Sequence, residues 1–362
     1  MTKKMLPVLL SSIALLITLV AMPFMTACAP AAGPSPTPGT TPTPAPAAGE
    51  IVWKGQSLFP AEDLCHKLQC LGIVNTLNDR LKGKFRIEMS LPDQIVPVPE
   101  QFTACSQGVF EVNMSAFAFD SQWVPEAMIA FGLPGSYENV DQCYDFWHKY
   151  GALEFFRESY AKENQYMFRQ LPLGRNSLMT KDIIDPWPAG IKGMKIWVEP
   201  PQAYPVRDLG GATTYMPLEE LYMALKLGTL DGAVYSEPEL ETLNLYEVIN
   251  YVYHPSVQEV ISVDMTFNLD AWNKLPADLQ NQINSIMDEI NPEITKEYVA
   301  AAADGVKFFE GKGGKVVNLT AEQATNFHKV CRQSWDEIAS ESPRSAEAVK
   351  LLREFMSKAG IP

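Results

Sequence analysis

Residues 188–238, PAGIKGMKIWVEPPQAYPVRDLGGATTYMPLEELYMALKLGTLDGAVYSEP, constrain the fold more than any other stretch. The pattern predicts a short strand at 194–198, a helix, and a second short strand ending near Tyr215. After Pro217 it predicts an amphipathic helix with Leu218, Leu221, Tyr222 and Leu225 on one face, a stop at Gly228 and a strand at 232–235. A strand–helix–strand unit of this kind aligns its strands in parallel. It also carries Trp197 and Tyr235 to strand carboxyl ends, where open α/β sheets hold small molecules. The same alternation runs through the chain. Further strands are expected at 51–58, 85–90, 110–115, 166–171, 248–253 and 260–268, and helices at 61–82, 101–107 and 140–163. A long helix is expected over 276–309, with Leu279, Ile283, Ile286, Met287 and Ile290 on one side, and a helical pair at 321–340 and 345–360 closes the chain. The fold class is α/β, and residues 50–362 exceed one ordinary core and suit two lobes.

The N-terminus has the form of an export signal. Lys3 and Lys4 precede an apolar run from Leu6 to about Met25, and small residues stand directly before Cys28. That pattern predicts a lipoprotein signal over residues 1–27 and a lipidated Cys28 as the first mature residue. The competing reading is an uncleaved membrane anchor; both leave the bulk of the chain extracytoplasmic and tethered to a membrane. Residues 28–49 are rich in Pro, Thr, Ala and Gly and carry no charge. They predict an extended tether with a reach on the order of 60 Å.

The chain is acidic, with 29 Lys and Arg against 43 Asp and Glu and a formal net charge of −14. Loss of Lys3 and Lys4 makes it more negative still, which argues against nucleic acid or anionic lipid as a partner. Besides Cys28 there remain Cys65, Cys70, Cys105, Cys143 and Cys331, an odd number that cannot all pair internally. Either one long-range disulfide or a set of buried free thiols fits. No C-x-x-C is present, and His66, His148, His254 and His328 fit no metal-ligand spacing, so no cofactor is expected.

Three stretches taken in order resemble one family. They are Trp123-Val-Pro-Glu126 with Gly132-Leu-Pro134, the run from Gly193 through Gly232, and Trp272-Asn-Lys-Leu-Pro-Ala-Asp-Leu-Gln280. Over residues 50–350 the chain resembles the solute-binding proteins of tripartite ATP-independent periplasmic (TRAP) transporters, the DctP family. The resemblance implies a two-lobe periplasmic-binding-protein fold with a long helix spanning both lobes. Lobe I would take 50–172 plus 261–300, and lobe II 173–260 plus 301–362. It further implies capture of a small organic anion, a carboxylate, and its delivery to TRAP membrane subunits, by a monomer that closes about its ligand.

The resemblance also assigns site residues. The family arginine of G-x-K-x-R, which grips a carboxylate, falls at Trp197, so the usual ion pair is replaced by an indole face. Arg175 is the remaining anion anchor, with Arg169 as its rival, and Tyr235 follows the D-G pair in a contact position. From the first lobe Phe59, Gln94, Ser115 and Phe117 lie at or beyond strand carboxyl ends. Tyr253-His-Pro-Ser-Val-Gln-Glu259 is similar to a loop of the α-keto acid and lactate branch, where a carboxylate at Glu259 helps bind a metal ion. Val198 and Val234 stand where that branch needs side-chain oxygens, which counts against a bridging divalent or sodium ion. The aromatic residues together suggest a monocarboxylate with an apolar body.

Two other readings compete with a transport receptor. One is a binding module feeding a membrane sensor. The other is an extracytoplasmic enzyme using Glu259 and His254 as acid and base, although no nucleophile elbow, phosphate loop or assigned dyad is present.

Overall fold

The structure, a computed structural model, describes residues 49–361; the signal segment 1–27, Cys28 and all but the last residue of the 28–49 tether lie outside the described residues. Eleven strands are described: β1 (Ile51–Ser57), β2 (Phe85–Ser90), β3 (Val112–Ser115), β4 (Gln165–Pro172), β5 (Asn176–Thr180), β6 (Lys195–Trp197), β7 (Ala212–Thr214), β8 (Gly232–Ser236), β9 (Tyr251–Gln258), β10 (Ser262–Asn268) and β11 (Lys315–Asn318). They form two sheets, ordered β2-β1-β3-β10-β4 and β11-β9-β5-β8-β6-β7. In the first, β1 runs parallel to β2 and β3, while β10 runs antiparallel to β3 and β4. In the second, β6 runs parallel to β7 and β8, whereas β5 is antiparallel to β8 and β9. The sheets are therefore mixed, each built around a parallel trio.

Each sheet carries its own core. Trp53, Phe85 and Phe267 meet edge to face in the first, with ring centroids 5.0 and 5.1 Å apart. Met179, Leu221, Leu225, Leu240 and Val252 fill one side of the second. The chain crosses between the sheets from β4 to β5 and again from β9 to β10. The 35-residue helix Ala277–Gly311 serves both cores. Its Leu279, Ile283, Met287, Ile290 and Tyr298 are buried in the first core and its Phe309 in the second. This is the two-lobe architecture with a shared long helix. Gly132 allows one close approach at the crossover from β9 to β10: a Cβ there would lie 2.8 Å from the Val260 carbonyl oxygen.

The structure departs from the sequence reading in several places. Residues 140–163 form two helices, Val140–Lys149 and Ala152–Lys162, because Gly151 takes a left-handed conformation at φ 81° between them. The predicted strand at 248–253 is shifted to β9, and β5 and β11 were not anticipated. Residues 301–362 do not belong to lobe II as a block. Phe327 and Cys331 pack on the second sheet, but Trp335, Ile338, Val349, Leu352 and Phe355 are buried in the first core. The final helix, Pro343–Ala359, is drawn there by aromatic neighbours: Phe355 meets Tyr150, Phe146 and Tyr137 at 4.8, 5.5 and 6.3 Å.

Candidate functional site

A cavity of about 360 Å³ lies where the carboxyl ends of β1 and β3 face those of β6, β7 and β8. From the first lobe Phe59, Phe102, Ser115, Phe119, Asp120 and Trp123 line it; from the second, Trp197, Glu199, Tyr215, Pro217, Glu219 and Tyr235. Strand geometry explains the placement. Ser115 ends β3, Trp197 ends β6, Tyr215 follows β7, and Tyr235 stands one residue from the end of β8. Glu199 is fixed by its own helix start: it caps the helix Pro200–Asp208 within the run Glu199-Pro-Pro-Gln202.

The walls are aromatic. Trp197 is 2% exposed, donates its indole N–H to the Met216 carbonyl at 3.0 Å, and meets Tyr235 edge to face at 5.2 Å. Phe102 stacks on Trp123 at 4.5 Å with 9° between the planes. Phe119 of the first lobe touches Tyr215 of the second at 5.2 Å, so the two lobes meet across the cavity. Other contacts hold them in this closed arrangement. Tyr235 donates its hydroxyl to Asp63 Oδ2 at 3.2 Å, Leu64 N–H donates to Glu239 Oε1 at 3.2 Å, and Gly135 N–H donates to the Val257 carbonyl at 3.0 Å.

The charges in and around the cavity are acidic, and among the described residues no Lys, Arg or His lines it. Asp120 accepts from the Tyr160 hydroxyl at 2.7 Å and the Ser115 hydroxyl at 3.1 Å. Burial pushes it up to about 7 against those hydrogen bonds. Beside it Asp264 is pushed well up by burial and by the Asp120 charge. Glu199 Oε2 accepts from Asn176 Nδ2 at 2.9 Å and Gln202 Nε2 at 3.2 Å, and burial pushes it up to about 8. Behind the Tyr235 wall, burial pushes Asp63 up to about 6.

Of the residues singled out from sequence, the structure brings Phe59, Ser115, Trp197 and Tyr235 together around this cavity. It does not bring the other four to its walls. Arg175 turns to Glu259, with Nε 2.7 Å from Oε2, and Glu259 also accepts from the Ser256 N–H at 2.8 Å. Phe117 is fully buried against Trp147 and Tyr160, so its helix neighbours Phe119 and Asp120 face the cavity in its place. Gln94 folds back to accept from the Leu91 N–H at 2.9 Å, leaving Pro92 and Asp93 at the mouth. The rival Arg169 pairs with Asp288 on the long helix at 2.6 Å. His254 pairs with Glu237 at 2.6 Å and not with Glu259. Glu199, Asp120, Phe119 and Tyr215 are among the wall residues that sequence reasoning missed. The Glu-Pro-Pro-Gln helix start was the legible signal for Glu199.

All five cysteines in the described region are free and buried. Among the described residues no group of three or more His, Cys, Asp or Glu side chains is arranged to hold a metal ion.

The chain matches the family described as bacterial extracellular solute-binding protein, family 7, over residues 60–342. It is similar to the monocarboxylate 2-oxoacid-binding periplasmic protein of Nostoc sp., with 23% identity over 293 residues covering 78% of each chain. It shares its fold with a TRAP periplasmic solute-binding protein of Chromohalobacter salexigens with bound (S)-(+)-2-amino-1-propanol. That structure has a TM-score of 0.76 and 20% identity, over 85% of this chain and 96% of that one. A TRAP periplasmic solute-binding protein of Colwellia psychrerythraea with bound calcium and pyruvate has a TM-score of 0.78 and 16% identity, over 86% and 95%.

Proposed function

Because the chain belongs to the bacterial extracellular solute-binding proteins of family 7, the DctP family of TRAP transporters, we propose that it captures a small organic acid in the interlobe cavity and delivers it to TRAP membrane subunits. The observation that carries this reading is the cavity itself: about 360 Å³, walled by strand carboxyl ends of both lobes and bridged by Phe119 and Tyr215. Binding that needs both walls couples occupancy to lobe closure, the signal a membrane partner can read. Phe59, Ser115, Trp197 and Tyr235 contact the solute in this reading. Phe117 and Gln94 support the walls, and Arg175 with Glu259 forms an ion pair beside them. The relative that binds monocarboxylate 2-oxoacids and the neighbour holding pyruvate favour a monocarboxylate, and the aromatic walls favour an apolar body on it.

Calcium accompanies pyruvate in that neighbour. Here the donor set does not fit a hard cation, which takes six to eight oxygens: Glu259 is engaged by Arg175 and Ser256, and Val198 and Val234 offer no side-chain oxygen. Nor does the reading include turnover, since His254 and Glu259 are each paired elsewhere. The lipid on Cys28 and the Pro/Thr-rich tether would hold a monomeric receptor at the membrane surface, extracytoplasmic and within reach of its partner.

The test is a thermal-shift screen of the purified full-length chain in detergent against small monocarboxylates, with and without calcium. A ligand that binds only the native state raises the melting temperature by mass action. A saturable rise with an aliphatic or aromatic monocarboxylate, independent of calcium, is expected. No shift with any organic acid would overturn the reading.

A further inference from the structure

We propose that the solute carries a positively charged nitrogen beside its carboxyl group, received between Asp120 of the first lobe and Glu199 of the second within the aromatic walls. This rests on the reading of the interlobe cavity as the solute site. Its lining holds four acids, Asp93, Asp120, Glu199 and Glu219, and no basic side chain among the described residues. Asp120 and Glu199 are only 1% and 4% exposed, and neither has a cationic partner: Asp120 meets two hydroxyls and the Asp264 carboxyl, Glu199 two amides. A buried carboxylate without a counter-charge is costly, and an asparagine or glutamine would accept the same hydrogen bonds without that cost. What an acid adds at these positions is a charge that something in the cavity can meet.

A second observation points the same way. Asp264 is fully buried behind Asp120 and shares a side-chain hydrogen bond with it. Asp120, which lines the cavity, and Asp264 behind it thus form a carboxyl pair with no Lys, Arg or His partner among the described residues, and burial holds both toward the neutral form. A nitrogen cation entering from the cavity supplies the missing charge to Asp120 and, across the gap, to Glu199. Because the two acids stand on opposite lobes, one cation bridging them favours the closed arrangement. The walls suit the same group. Trp197, Tyr215 and Tyr235 on one side and Phe119 and Trp123 on the other present ring systems whose faces attract cations. An arginine at position 197 would have put a positive charge of the chain's own beside Glu199; the tryptophan there leaves that role to the ligand.

The test uses matched triples on branched and aromatic bodies: an amino acid, its deaminated acid and its decarboxylated amine. Each triple is titrated calorimetrically into the full-length chain. The tightest binder is expected to carry both groups, to lose at least ten-fold in affinity on deamination, and to lose that advantage in Glu199→Gln and in Asp120→Asn. Melting temperatures of both variants establish that they fold, and either variant alone suffices. If a deaminated acid binds as tightly as its amino counterpart, or if no nitrogen-bearing member binds, the proposal is overturned. Binding by plain acids alone ends this inference and leaves the organic-acid reading standing. Binding by amines while no acid binds ends the organic-acid reading and keeps the nitrogen.

Discussion

Replacing Glu199 with glutamine should remove a loss of stability that wild type suffers as pH rises. The folded protein raises this carboxyl from 4.5 to about 8, chiefly by burial, with the Asp63 charge adding to the rise and the Gln202 and Asn176 hydrogen bonds opposing it. Between those values the native state keeps a proton that the unfolded chain has released. Native protein then binds more protons than unfolded, so stability falls with increasing pH through that window. The slope is at most about 1.4 kcal/mol per unit, and over the three units from pH 5 to pH 8 the loss from this one group approaches about 4 kcal/mol. Glutamine reproduces the neutral acid: its oxygen can accept from Asn176 and Gln202 as Glu199 Oε2 does. The variant should match wild type near pH 5 and exceed it by up to about 4 kcal/mol at pH 8. Asp63, Asp120, Glu239 and Asp264 are also raised, so both proteins weaken with pH, and the difference between them isolates position 199. Urea unfolding followed by circular dichroism at pH 5, 6, 7 and 8 measures it. A difference that stays flat across the range would show Glu199 already ionised in the native protein, and the account of a charge-starved cavity would fall with it.

Arg175→Ala should cost less than about 1 kcal/mol, because its partner bond to Glu259 is made by a guanidinium side chain 47% exposed, and solute affinity by calorimetry should stay within two-fold; a ten-fold loss would place that arginine on the solute. The five buried thiols should be silent toward Ellman's reagent in the native protein and all titrate in guanidinium, since burial pushes even Cys70 and Cys143 up to about 12; native reactivity of one of these five would mean that a lobe opens far more readily than its packing implies.

Elements with strong periodicity were legible from sequence. The long helix shows its apolar stripe through Leu279, Ile283, Met287 and Ile290, and the Met194–Tyr235 unit shows its strand and helix periods. β5 was not legible, although it is the strand that pairs with both β8 and β9. Its sequence Asn-Ser-Leu-Met-Thr is short, contains one β-branched residue, and follows Gly174-Arg175, so local signals favour a loop; neighbours on both sides impose the strand. The lobe membership of the C-terminal helices was hidden for a related reason. An amphipathic helix declares that it has an apolar face, not which core receives it, and the acceptor for Phe355 is an aromatic cluster some 200 residues earlier in the chain.

The site divides along the same line. Side chains attached to strand ends, such as Ser115, Trp197 and Tyr235, could be placed because the α/β pattern dictates where strand ends point. Arg175 and Glu259 looked like anchors in isolation because sequence does not reveal that each is the other's partner, 84 positions apart. Glu199 and Asp120 were invisible as a pair for the opposite reason: what makes them unusual is the absence of a counter-charge, which only the folded surroundings disclose. Trp197 links the two failures. An arginine at this position would have provided the cavity's carboxylate grip and balanced Glu199 two residues on. With an indole there, no guanidinium stands beside the buried acids. The tryptophan that denies the cavity a carboxylate anchor therefore also leaves it short of positive charge, and in the proposed reading the solute makes good that deficit.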